Sequence, residues 1–414
     1  MTTLTRMWLT RSFRSFQFKN EYDTKLAFGE CEGLGLYVHI PFCRQLCLFC
    51  PYCKELYNEE ACNEYINHLI QEIHMVGSGL KEKKRVTSLY FGGGTPALAA
   101  GKIGEIVSVI QEYFIITEGI GIELHPDNVT QEILTLLRSA GVDKISIGIQ
   151  SFGEKYLSIL GRKNFNPAQI AAALKKVPFE TVSMDFIFAL PGQTFEDLKA
   201  DIETAFSIGA NHVALYPFID FTFTNSAIKP MEKQEKRKLL DEITVYCQTM
   251  GYVRDSIWTF SNAPGAKYSS MTRASFLGFG CSATSLLRDQ FKINTFSATE
   301  YQKRISNNTL PTSLTIRFTK FQRMIYYLFW TAYSTKVNSK EFEDFFGVPL
   351  KKMYGFELWI AKKLGFLVEE RGIYHMTLKG AFYYHYYENY YTLAYIDKMW
   401  GIMRHKAFPE EINM

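Results

Sequence analysis

Four of the eight cysteines lie close together, at a spacing typical of a site that binds metal. Cys43, Cys47, Cys50 and Cys53 fall in the segment PFCRQLCLFCPYC, which has the pattern C-x3-C-x2-C-x2-C. Three thiolates can hold three irons of a [4Fe–4S] cube and leave the fourth iron without a protein ligand. That iron can bind S-adenosylmethionine (SAM), and an electron from the cluster can then release a 5′-deoxyadenosyl radical. The motif therefore predicts radical chemistry.

Two other kinds of site use clustered cysteines. A zinc site usually takes two ligand pairs separated by a longer loop, and no second pair follows here. A ferredoxin-type cluster takes four thiolates, and Cys53 is available as the fourth. Cys62 and Cys247 lie in helical patterns and are expected to be small core residues. Residues downstream of the motif favour SAM over both alternatives.

A glycine run follows the next predicted strand, in the segment LYFGGGTP at 89–96. Without Cβ atoms the backbone can approach a ligand closely and present its N–H groups to an amino-acid carboxylate. Glu123, at a strand end, can accept hydrogen bonds from ribose hydroxyls, and an exposed loop glutamate is the alternative. Asp185 lies in an apolar strand and needs a polar ligand or a cation. Arg162 is the cation expected to pair with a carboxylate.

The elements that must position these residues alternate between strand and helix. Helical patterns cover 59–75, 103–114, 130–139, 167–176 and 194–208. They separate six predicted strands at 36–40, 87–91, 120–124, 144–149, 181–188 and 212–217. This alternation implies parallel strands with right-handed crossovers. Six strands are fewer than the eight that close a full barrel. We predict an α/β fold with a partial (β/α)6 barrel and its active site at the carboxyl ends of the strands.

The region after residue 310 has a different pattern. Three predicted helices at 321–332, 339–345 and 350–364 precede a hairpin at 366–377, an order that indicates a winged-helix-like domain. The aromatic run YYHYYENYY at 383–391 is interpreted as packing between domains rather than as nucleic-acid stacking. We predict an N-terminal extension at 1–33, a radical SAM domain at 34–300 and a C-terminal winged-helix-like domain at 301–414.

Composition narrows the function class. The 414 residues are 47% hydrophobic, enough for a large domain and a smaller one, and 46 basic against 42 acidic residues give a net charge of +4. This excess is too small to indicate nucleic acid or an anionic membrane as the main partner. No apolar run is long enough for a membrane span, and the N-terminus lacks the pattern of a signal peptide. We expect a cytoplasmic monomer.

These motifs together resemble the oxygen-independent coproporphyrinogen III oxidase-like family of radical SAM enzymes. The matching stretches are GLYVHIPFCRQLCLFC, YFGGGTP, IELHP, ISIGIQSF, LGRKN, DFIFALPGQT and LGFGCSATS. The resemblance covers about residues 33–286 and, more loosely, 310–400. It implies that Cys43, Cys47 and Cys50 bind the [4Fe–4S] cluster.

The resemblance also implies two bound SAM molecules. The positions that match the first SAM site are Tyr37, Gly93, Glu123, Ile219 and Thr284. Those that match the second are Phe49, Gly94, Thr95, Gln150, Arg162 and Asp185. Members of the family use the pair differently: for oxidative decarboxylation, or for methylation and cyclopropanation in the class C methyltransferases. A haem-chaperone branch binds haem instead.

Several positions depart from the patterns of the oxidase and chaperone branches. The oxidase has a further cysteine two residues after the third ligand and the chaperone has Cys-Asp-Phe, whereas this chain has Cys50-Pro51-Tyr52. His125 stands where Asp or Asn is common and is a candidate proton acceptor, with local hydrogen bonding as the alternative. Cys281 stands at an aliphatic position and is a candidate working thiol, with tight packing as the alternative.

We therefore expect an enzyme that transfers a one-carbon unit from the second SAM to an sp2 carbon of an aromatic or tetrapyrrole-like small molecule. The enzymatic alternative is oxidative decarboxylation of a porphyrinogen, and the non-enzymatic one is a haem-binding chaperone. The expected partners are a small-molecule substrate and an electron donor such as flavodoxin or ferredoxin, with no nucleic acid and no membrane span.

Overall fold

The computed structural model describes residues 2–13, 15–21, 26–224, 226–262 and 274–413. In this part of the chain the strands are β1 Gln17–Lys19, β2 Leu34–Ile40, β3 Phe42–Cys43, β4 Glu55–Leu56, β5 Lys84–Val86, β6 Leu89–Gly93, β7 Phe114–Ile116, β8 Ile120–Leu124, β9 Lys144–Gln150, β10 Thr181–Phe188, β11 His212–Pro217, β12 Val253–Arg254, β13 Thr259–Ser261, β14 Ser275–Phe279, β15 Thr284–Leu286, β16 Gln290–Asn294, β17 Thr312–Arg317, β18 Lys336–Asn338, β19 Leu367–Glu370, β20 Ile373–Met376 and β21 Glu411–Asn413.

The helices run between these strands and cover the sheet. They are α1 Thr2–Thr10, α2 Glu59–Gly77, α3 Ala100–Tyr113, α4 Gln131–Ser139, α5 Glu154–Ile159, α6 Pro167–Lys176, α7 Phe195–Ser207, α8 Lys233–Thr249, α9 Ala298–Ser306, α10 Lys320–Tyr333, α11 Ser339–Phe346, α12 Leu350–Lys363, α13 Leu378–Tyr391 and α14 Asp397–His405. Short 3₁₀ turns lie at Pro96–Ala99 and Pro126–Asn128, and a π-helical turn at Thr392–Ile396 joins α13 to α14.

Six parallel strands form the centre of the main sheet, in the order β11-β10-β9-β8-β6-β2. Neighbours in this order are consecutive strands of the predicted strand–helix units, and each predicted strand matches an observed one to within two residues. The six strands do not close on themselves, because β13 pairs with β11 and β14 pairs with β2. The predicted fold class, a partial (β/α)6 barrel, is confirmed.

The residues of the central strands are buried on both faces. In β2 and β10 all residues except one are buried, as expected for parallel strands covered by helices on one face and facing an enclosed interior on the other. The helices begin at conventional caps. Asn58 accepts a hydrogen bond from the Ala61 N–H ahead of α2, and Thr194 forms a capping box with Asp197 ahead of α7.

The predicted winged-helix-like order is observed in the C-terminal part. Helix α10 is followed by β18, α11 and α12, and by the hairpin of β19 and β20, which pairs with β18. Met324, Phe342 and Tyr374 belong to a small core of their own. Strands β17 and β21 belong to the main sheet, and α9 crosses residue 300, so the predicted division of the chain at this residue stays a prediction.

The aromatic residues of α13 pack against other elements. The Tyr384 hydroxyl donates to the Phe329 carbonyl oxygen at 2.7 Å, and the two rings stack with centroids 5.3 Å apart. His385 lies edge-on to Trp258, close to β13, at 4.6 Å. The interpretation of this run as packing is confirmed by these contacts. Among the described residues, no helix combines the length and the apolar character that a membrane span requires.

Candidate active site

The cysteine loop begins where β2 and β3 end, at the carboxyl edge of the parallel strands. Its backbone is held by Lys54, whose ammonium group donates to the carbonyl oxygens of Cys47 and, at 2.9 Å, of Cys50. The Cys50 N–H also donates to the Cys47 carbonyl oxygen at 3.3 Å. At the other end of the loop, the Gln45 amide donates to the Gly161 carbonyl oxygen at 3.0 Å. The loop is therefore fixed by polar contacts.

The three predicted cluster ligands are partly buried, free thiols. The Thr95 hydroxyl lies 3.6 Å from the Cys43 sulfur, and an Arg162 guanidinium nitrogen lies 3.9 Å from the Cys47 sulfur. Burial raises the pKa of Cys43 to about 11 and also raises the pKa of Cys50. Cys43 and Cys50 thus keep their protons until a metal ion displaces them.

The spacing of these thiols argues against a single zinc ion. Zinc would bring its ligand sulfurs to about 3.8 Å from one another, because Zn–S bonds are about 2.3 Å and tetrahedral. In the described part of the chain, Cys43, Cys47 and Cys50 do not form a group whose ligand atoms all lie within 4.8 Å of one another. Thiolates that bind three different irons of a cube lie farther apart, so the arrangement fits a cluster better than an ion.

The glycine run acts through its shape and not through free N–H groups. The Gly93 N–H donates to Glu123 at 3.2 Å, the Gly94 N–H to the Ile40 carbonyl oxygen at 2.9 Å, and the Thr95 N–H to the Phe42 carbonyl oxygen at 2.8 Å. The prediction that this run presents its N–H groups to a ligand carboxylate is wrong at these three positions. The backbone needs these bonds to turn from β6 across the end of β2.

The glycines instead permit close approach. Gly93 has φ +125°, and a Cβ atom on Gly94 would lie 2.6 Å from the Pro41 carbonyl oxygen. A Cβ atom on Gly92 would lie 3.0 Å from the Tyr37 hydroxyl and 3.1 Å from a Glu123 carboxylate oxygen. The absence of side chains at these positions lets Tyr37 and Glu123 meet beside the cysteine loop.

Three predicted ligand-binding residues are the exceptions in otherwise buried strands. Tyr37 in β2, Glu123 in β8 and Asp185 in β10 are each the one partly exposed residue of their strand. Residues that are accessible in the middle of an apolar strand line an interior opening. The carboxyl half of the sheet therefore encloses a polar site.

The two carboxylates of this site lie in an environment that disfavours their charge. Burial, and then the negative charge of Asp185, raise the pKa of Glu123 to about 7, although hydrogen bonds from the Tyr90 hydroxyl (3.0 Å) and the Gly93 N–H oppose this effect. Burial likewise raises the pKa of Asp185 to about 6, against hydrogen bonds from Ser146 (2.7 Å) and Ser183 (3.2 Å). Both groups are suited to a ligand that brings hydroxyl donors or positive charge.

The structure brings Gln150 and Arg162 together at Gly148. Arg162 donates to the Gly148 carbonyl oxygen at 3.0 Å, and a Cβ atom on Gly148 would lie 2.9 Å from the Gln150 amide nitrogen. Gln150 has φ +70°, at a register shift between β9 and β10 that falls at Asp185. Among the described residues Arg162 forms no ion pair with a protein carboxylate: its guanidinium donates to the Gly148 carbonyl oxygen and lies 3.9 Å from the Cys47 sulfur. The pairing of Arg162 with a carboxylate therefore stays a prediction.

The remaining predicted residues are less closely joined to this group. Phe49 packs under the cysteine loop against a small core that includes Leu160 and Phe218. Ile219 follows β11 and is partly buried. Thr284 begins β15, where its backbone would overlap a Cβ atom on Gly278. Among the described residues, no side-chain hydrogen bond or ion pair joins Ile219 or Thr284 to the other predicted SAM residues.

The two candidate catalytic residues have different surroundings. The Asp127 N–H donates to His125 Nδ1 at 3.2 Å, which is the local hydrogen bond considered as the alternative. Burial, and then the positive charge of Arg162, lower the pKa of His125 to about 4, so the ring is neutral at pH 7. Its role as a proton acceptor stays a prediction. Cys281 is fully buried behind the glycine run, where the Tyr65 hydroxyl lies 3.5 Å from its sulfur.

Four site residues were missed by sequence reasoning: Tyr52, Lys54, Trp400 and Arg404. The ring of Tyr52 lies 5.9 Å from that of Trp400. Burial, and then the negative charges of residues that include Glu123 and Asp185, raise the pKa of its hydroxyl group. Arg404, in α14, donates to the Pro51 carbonyl oxygen. The run PYC within the cysteine motif was a signal for Tyr52, but nothing near residue 400 points to the cysteine loop.

Lys54 and Arg404 line a cavity that also borders two of the predicted cluster ligands. It has a volume of about 190 Å³, and its lining includes Cys47, Cys50, Lys54, Phe223 and Arg404. The guanidinium of Arg404 lies 4.7 Å from the centre of the Phe223 ring, and its Nε is buried without a hydrogen-bond partner. A cavity with two cations and an aromatic wall is suited to an anionic group on an apolar molecule.

Residues 37–205 match the model of the Radical SAM superfamily. This segment of the chain is a radical SAM domain. The matched segment runs from Tyr37 through the cysteine loop, the glycine run, Glu123, Gln150, Arg162 and Asp185. The family resemblance found in the sequence is confirmed.

The curated relatives that this chain matches include heme chaperones and an oxygen-independent coproporphyrinogen III oxidase. The heme chaperone HemW of Lactococcus lactis is 34% identical over 189 residues, which are 44% of this chain and 48% of that protein, so the match spans about half of this relative. The heme chaperone HemW of Bacillus subtilis is 26% identical and matches 83% of this chain and 95% of its own. The oxygen-independent coproporphyrinogen III oxidase of Pseudomonas aeruginosa is 24% identical, over 67% of this chain and 66% of its own.

A solved structure has the same fold over nearly the whole chain. Coproporphyrinogen III oxidase (HemN) from Escherichia coli superposes with a TM-score of 0.74 at 21% identity, covering 92% of this chain and 96% of that one. This likeness confirms the fold, including the C-terminal part.

The site fits the cofactors that the family implies. Three partly buried, free thiols lie at the carboxyl edge of the strands, and in the described part of the chain they are not gathered as closely as the ligands of a single ion. Two carboxylates without a neutralising arginine face the same opening and suit the hydroxyl groups and positive charge of SAM. Cys43, Cys47 and Cys50 would hold the cluster, with Glu123 and Asp185 as SAM contacts.

Proposed function

We propose that this chain is a radical SAM enzyme that acts on a tetrapyrrole with propionate side chains, by the oxidative decarboxylation of the oxidase branch. The observation that carries the proposal is the cavity beside Cys47 and Cys50, which has two cations, Lys54 and Arg404, and the ring of Phe223 in its wall. A propionate carboxylate on a flat, apolar macrocycle has the matching chemistry. The names of the curated relatives support the same substrate class, since they refer to heme and to coproporphyrinogen III.

The roles of the residues follow from their positions. When bound, the cluster and SAM would supply a carbon radical that can remove a hydrogen atom from a propionate carbon. Loss of carbon dioxide from the resulting substrate radical would leave a vinyl group and release one electron, which an oxidised electron carrier would accept. Glu123 and Asp185 hold ligand hydroxyl and cationic groups, while Arg404 and Lys54 orient a substrate carboxylate near the cysteine loop. The half-exposed ring of Tyr52 packs against Trp400 at the edge of this region. Holding the substrate in one orientation is what decides which hydrogen is removed.

We further propose that two SAM molecules bind and that a flavodoxin or ferredoxin supplies the electron. Support for the second SAM comes from Gln150 and Arg162, which meet at Gly148 on the same edge of the sheet as Asp185. The second molecule would lie between these residues and the cysteine loop.

Two other functions are kept as alternatives, each for a specific reason. One-carbon transfer, the expectation from the sequence, needs a second SAM molecule as the carbon donor. The names of the relatives favour the oxidase and the chaperone functions over one-carbon transfer. Haem binding without turnover is favoured by the match to 95% of the Bacillus subtilis heme chaperone HemW.

Anaerobic turnover distinguishes the three functions. The reconstituted, reduced protein would be incubated with SAM and either coproporphyrinogen III or haem, and the products would be identified by mass spectrometry. The proposal predicts loss of carbon dioxide from a propionate only with active enzyme, and slower turnover in Arg404→Gln than in the control Arg288→Gln. A product that gains a one-carbon unit, or haem that is retained stoichiometrically without any SAM cleavage, would overturn it.

A further inference from the structure

A second group of metal-binding residues lies behind the cysteine loop and outside the proposed cluster site. His39, Cys53 and Cys281 place one ligand atom each within 4.8 Å of one another. All three are buried, with 3%, 6% and 0% of their surfaces exposed. They come from three separate parts of the chain: β2, the end of the cysteine loop, and the turn between β14 and β15. A grouping of this kind does not arise from sequence neighbours.

We infer that His39, Cys53 and Cys281 form a second, structural metal site for a single zinc ion. Two thiolates and an imidazole are ligands that zinc prefers. Their ligand atoms all lie within 4.8 Å of one another, so each separation would shorten by about 1 Å at most to reach the roughly 3.8 Å of tetrahedral zinc. Two thiolates also neutralise the double positive charge of the ion. The buried site would therefore carry no net charge.

The surroundings of the three ligands are those of a metal site. The Tyr37 hydroxyl lies 3.0 Å from His39 Nδ1, which fixes the ring, and Nε2 lies 3.2 Å from the Cys53 carbonyl oxygen and 3.3 Å from the Ser282 hydroxyl. The Tyr65 hydroxyl lies 3.5 Å from the Cys281 sulfur. Hydrogen bonds of this kind, to the second nitrogen of a ligand histidine and to a ligand sulfur, orient metal ligands. The Ser282 hydroxyl, 3.3 Å from Nε2, or a water molecule would complete the coordination.

The backbone around the site is held close by glycine. A Cβ atom on Gly280, which has φ +98°, would lie 2.6 Å from both the His39 carbonyl oxygen and the Tyr65 hydroxyl. The Cys281 N–H donates to the same hydroxyl at 2.9 Å. The turn that carries Cys281 is thus pressed against β2, and the ligand atoms are brought together before any metal binds.

Binding would require both thiols, Cys53 and Cys281, to release a proton to the solvent. The Cys53 sulfur lies 3.0 Å from the Phe296 carbonyl oxygen, to which the thiol donates. The ion would displace both protons, so affinity should fall as the pH is lowered. The site also accounts for Cys53, which would be a zinc ligand and not a fourth ligand of the cluster.

Metal analysis of the holoenzyme is the first test. After anaerobic reconstitution, inductively coupled plasma mass spectrometry should find one zinc per chain in addition to the cluster iron. Cys53→Ser and Cys281→Ser should lose this zinc and keep the iron, whereas Cys247→Ser, at a buried cysteine outside the site, should keep both. Absence of zinc from the holoenzyme under zinc-supplemented expression would overturn the inference.

A cobalt titration tests the site in the absence of the cluster. It keeps all three proposed zinc ligands, so its result does not depend on whether the Cys53 and Cys281 variants fold. In the full-length triple variant Cys43→Ser/Cys47→Ser/Cys50→Ser, Co²⁺ should produce a thiolate-to-cobalt charge-transfer band that saturates at one ion per chain. A folded triple variant without this band, or one whose mass before reduction shows a Cys53–Cys281 disulfide, would contradict the site. Because the titration uses no SAM or substrate, its outcome is independent of the proposed function.

Discussion

The guanidinium group of Arg404, in the last helix of the chain, donates a hydrogen bond to the carbonyl oxygen of Pro51, inside the cysteine loop. These residues are 353 positions apart. One turn earlier in α14, the ring of Trp400 lies 5.9 Å from that of Tyr52, and Asp397 accepts hydrogen bonds from Thr222. The C-terminal helix thus fastens the loop that carries the predicted cluster ligands.

Removal of this contact should loosen the loop. Arg404→Gln loses a hydrogen bond from a charged donor, worth about 1.5–3 kcal/mol. We expect the cluster of the variant to be lost several-fold faster to a chelator, followed through its iron–sulfur absorbance, with a small decrease in melting temperature. Arg288→Gln, which removes an exposed ion pair with Glu30, is the control and should behave like the unmodified protein. Equal rates of cluster loss in both variants would show that α14 does not protect the loop.

The cysteine positions should separate into two classes by iron content. Reconstituted protein should hold about four irons per chain, and Cys43→Ala, Cys47→Ala or Cys50→Ala should abolish both this iron and SAM cleavage. Cys53→Ala should retain the iron, because that side chain lies with His39 and Cys281. If Cys53→Ala loses iron as completely as the other three variants, the cluster has four protein ligands and the open iron needed for SAM does not exist.

Asp185 should control the number of SAM molecules. Asp185→Asn removes the carboxylate but keeps the size of the side chain and its contacts with Ser146 and Ser183. Calorimetry should show two SAM sites in the unmodified protein and one in the variant. Asp143→Asn, a partly buried aspartate at the opposite end of the sheet, should leave two sites. A single site in the unmodified protein would contradict the proposed SAM arrangement.

SAM affinity should depend on pH through Glu123. The carboxyl group must be ionised to accept hydrogen bonds from ribose hydroxyls, and its pKa is about 7 because burial and the charge of Asp185 raise it. Affinity should therefore increase as the pH rises from 6 to 8. Glu123→Gln should bind SAM roughly 10- to 100-fold more weakly at pH 8, the loss of one hydrogen bond to a charged group, and should show little of this pH dependence. Glu118→Gln, at the other end of β8, is the control. A dependence that survives in Glu123→Gln would assign the titration to another group.

Sequence patterns were sufficient for the parallel sheet and for the residues at its edge. Parallel strands are buried on both faces and appear as short apolar runs, and their carboxyl ends lie together. For this reason Glu123, Gln150 and Asp185 could be placed on one face before the structure was known. The winged-helix-like order was also visible, because its helices and hairpin are local patterns.

Contacts between distant segments left no such pattern. The position of Arg404 against Pro51, and of Cys281 against Cys53, depends on how elements far apart in the chain pack together. The glycine run gave a correct position but the wrong role, since its N–H groups bond to β2 and Glu123. The contact of Arg162 with the Gly148 carbonyl oxygen, which the bulge at the end of β9 places within its reach, was not predicted.

The most direct test of the proposed function is the origin of the hydrogen found in 5′-deoxyadenosine after turnover. Reduced, reconstituted protein would be given coproporphyrinogen III deuterated on its propionate side chains, with unlabelled SAM, and in parallel unlabelled porphyrinogen with methyl-deuterated SAM. We predict deuterium in the 5′-deoxyadenosine of the first reaction only, together with release of carbon dioxide. Deuterium in the nucleoside of the second reaction and in its tetrapyrrole product would mean that the radical attacks the methyl group of SAM, which contradicts the proposed decarboxylation.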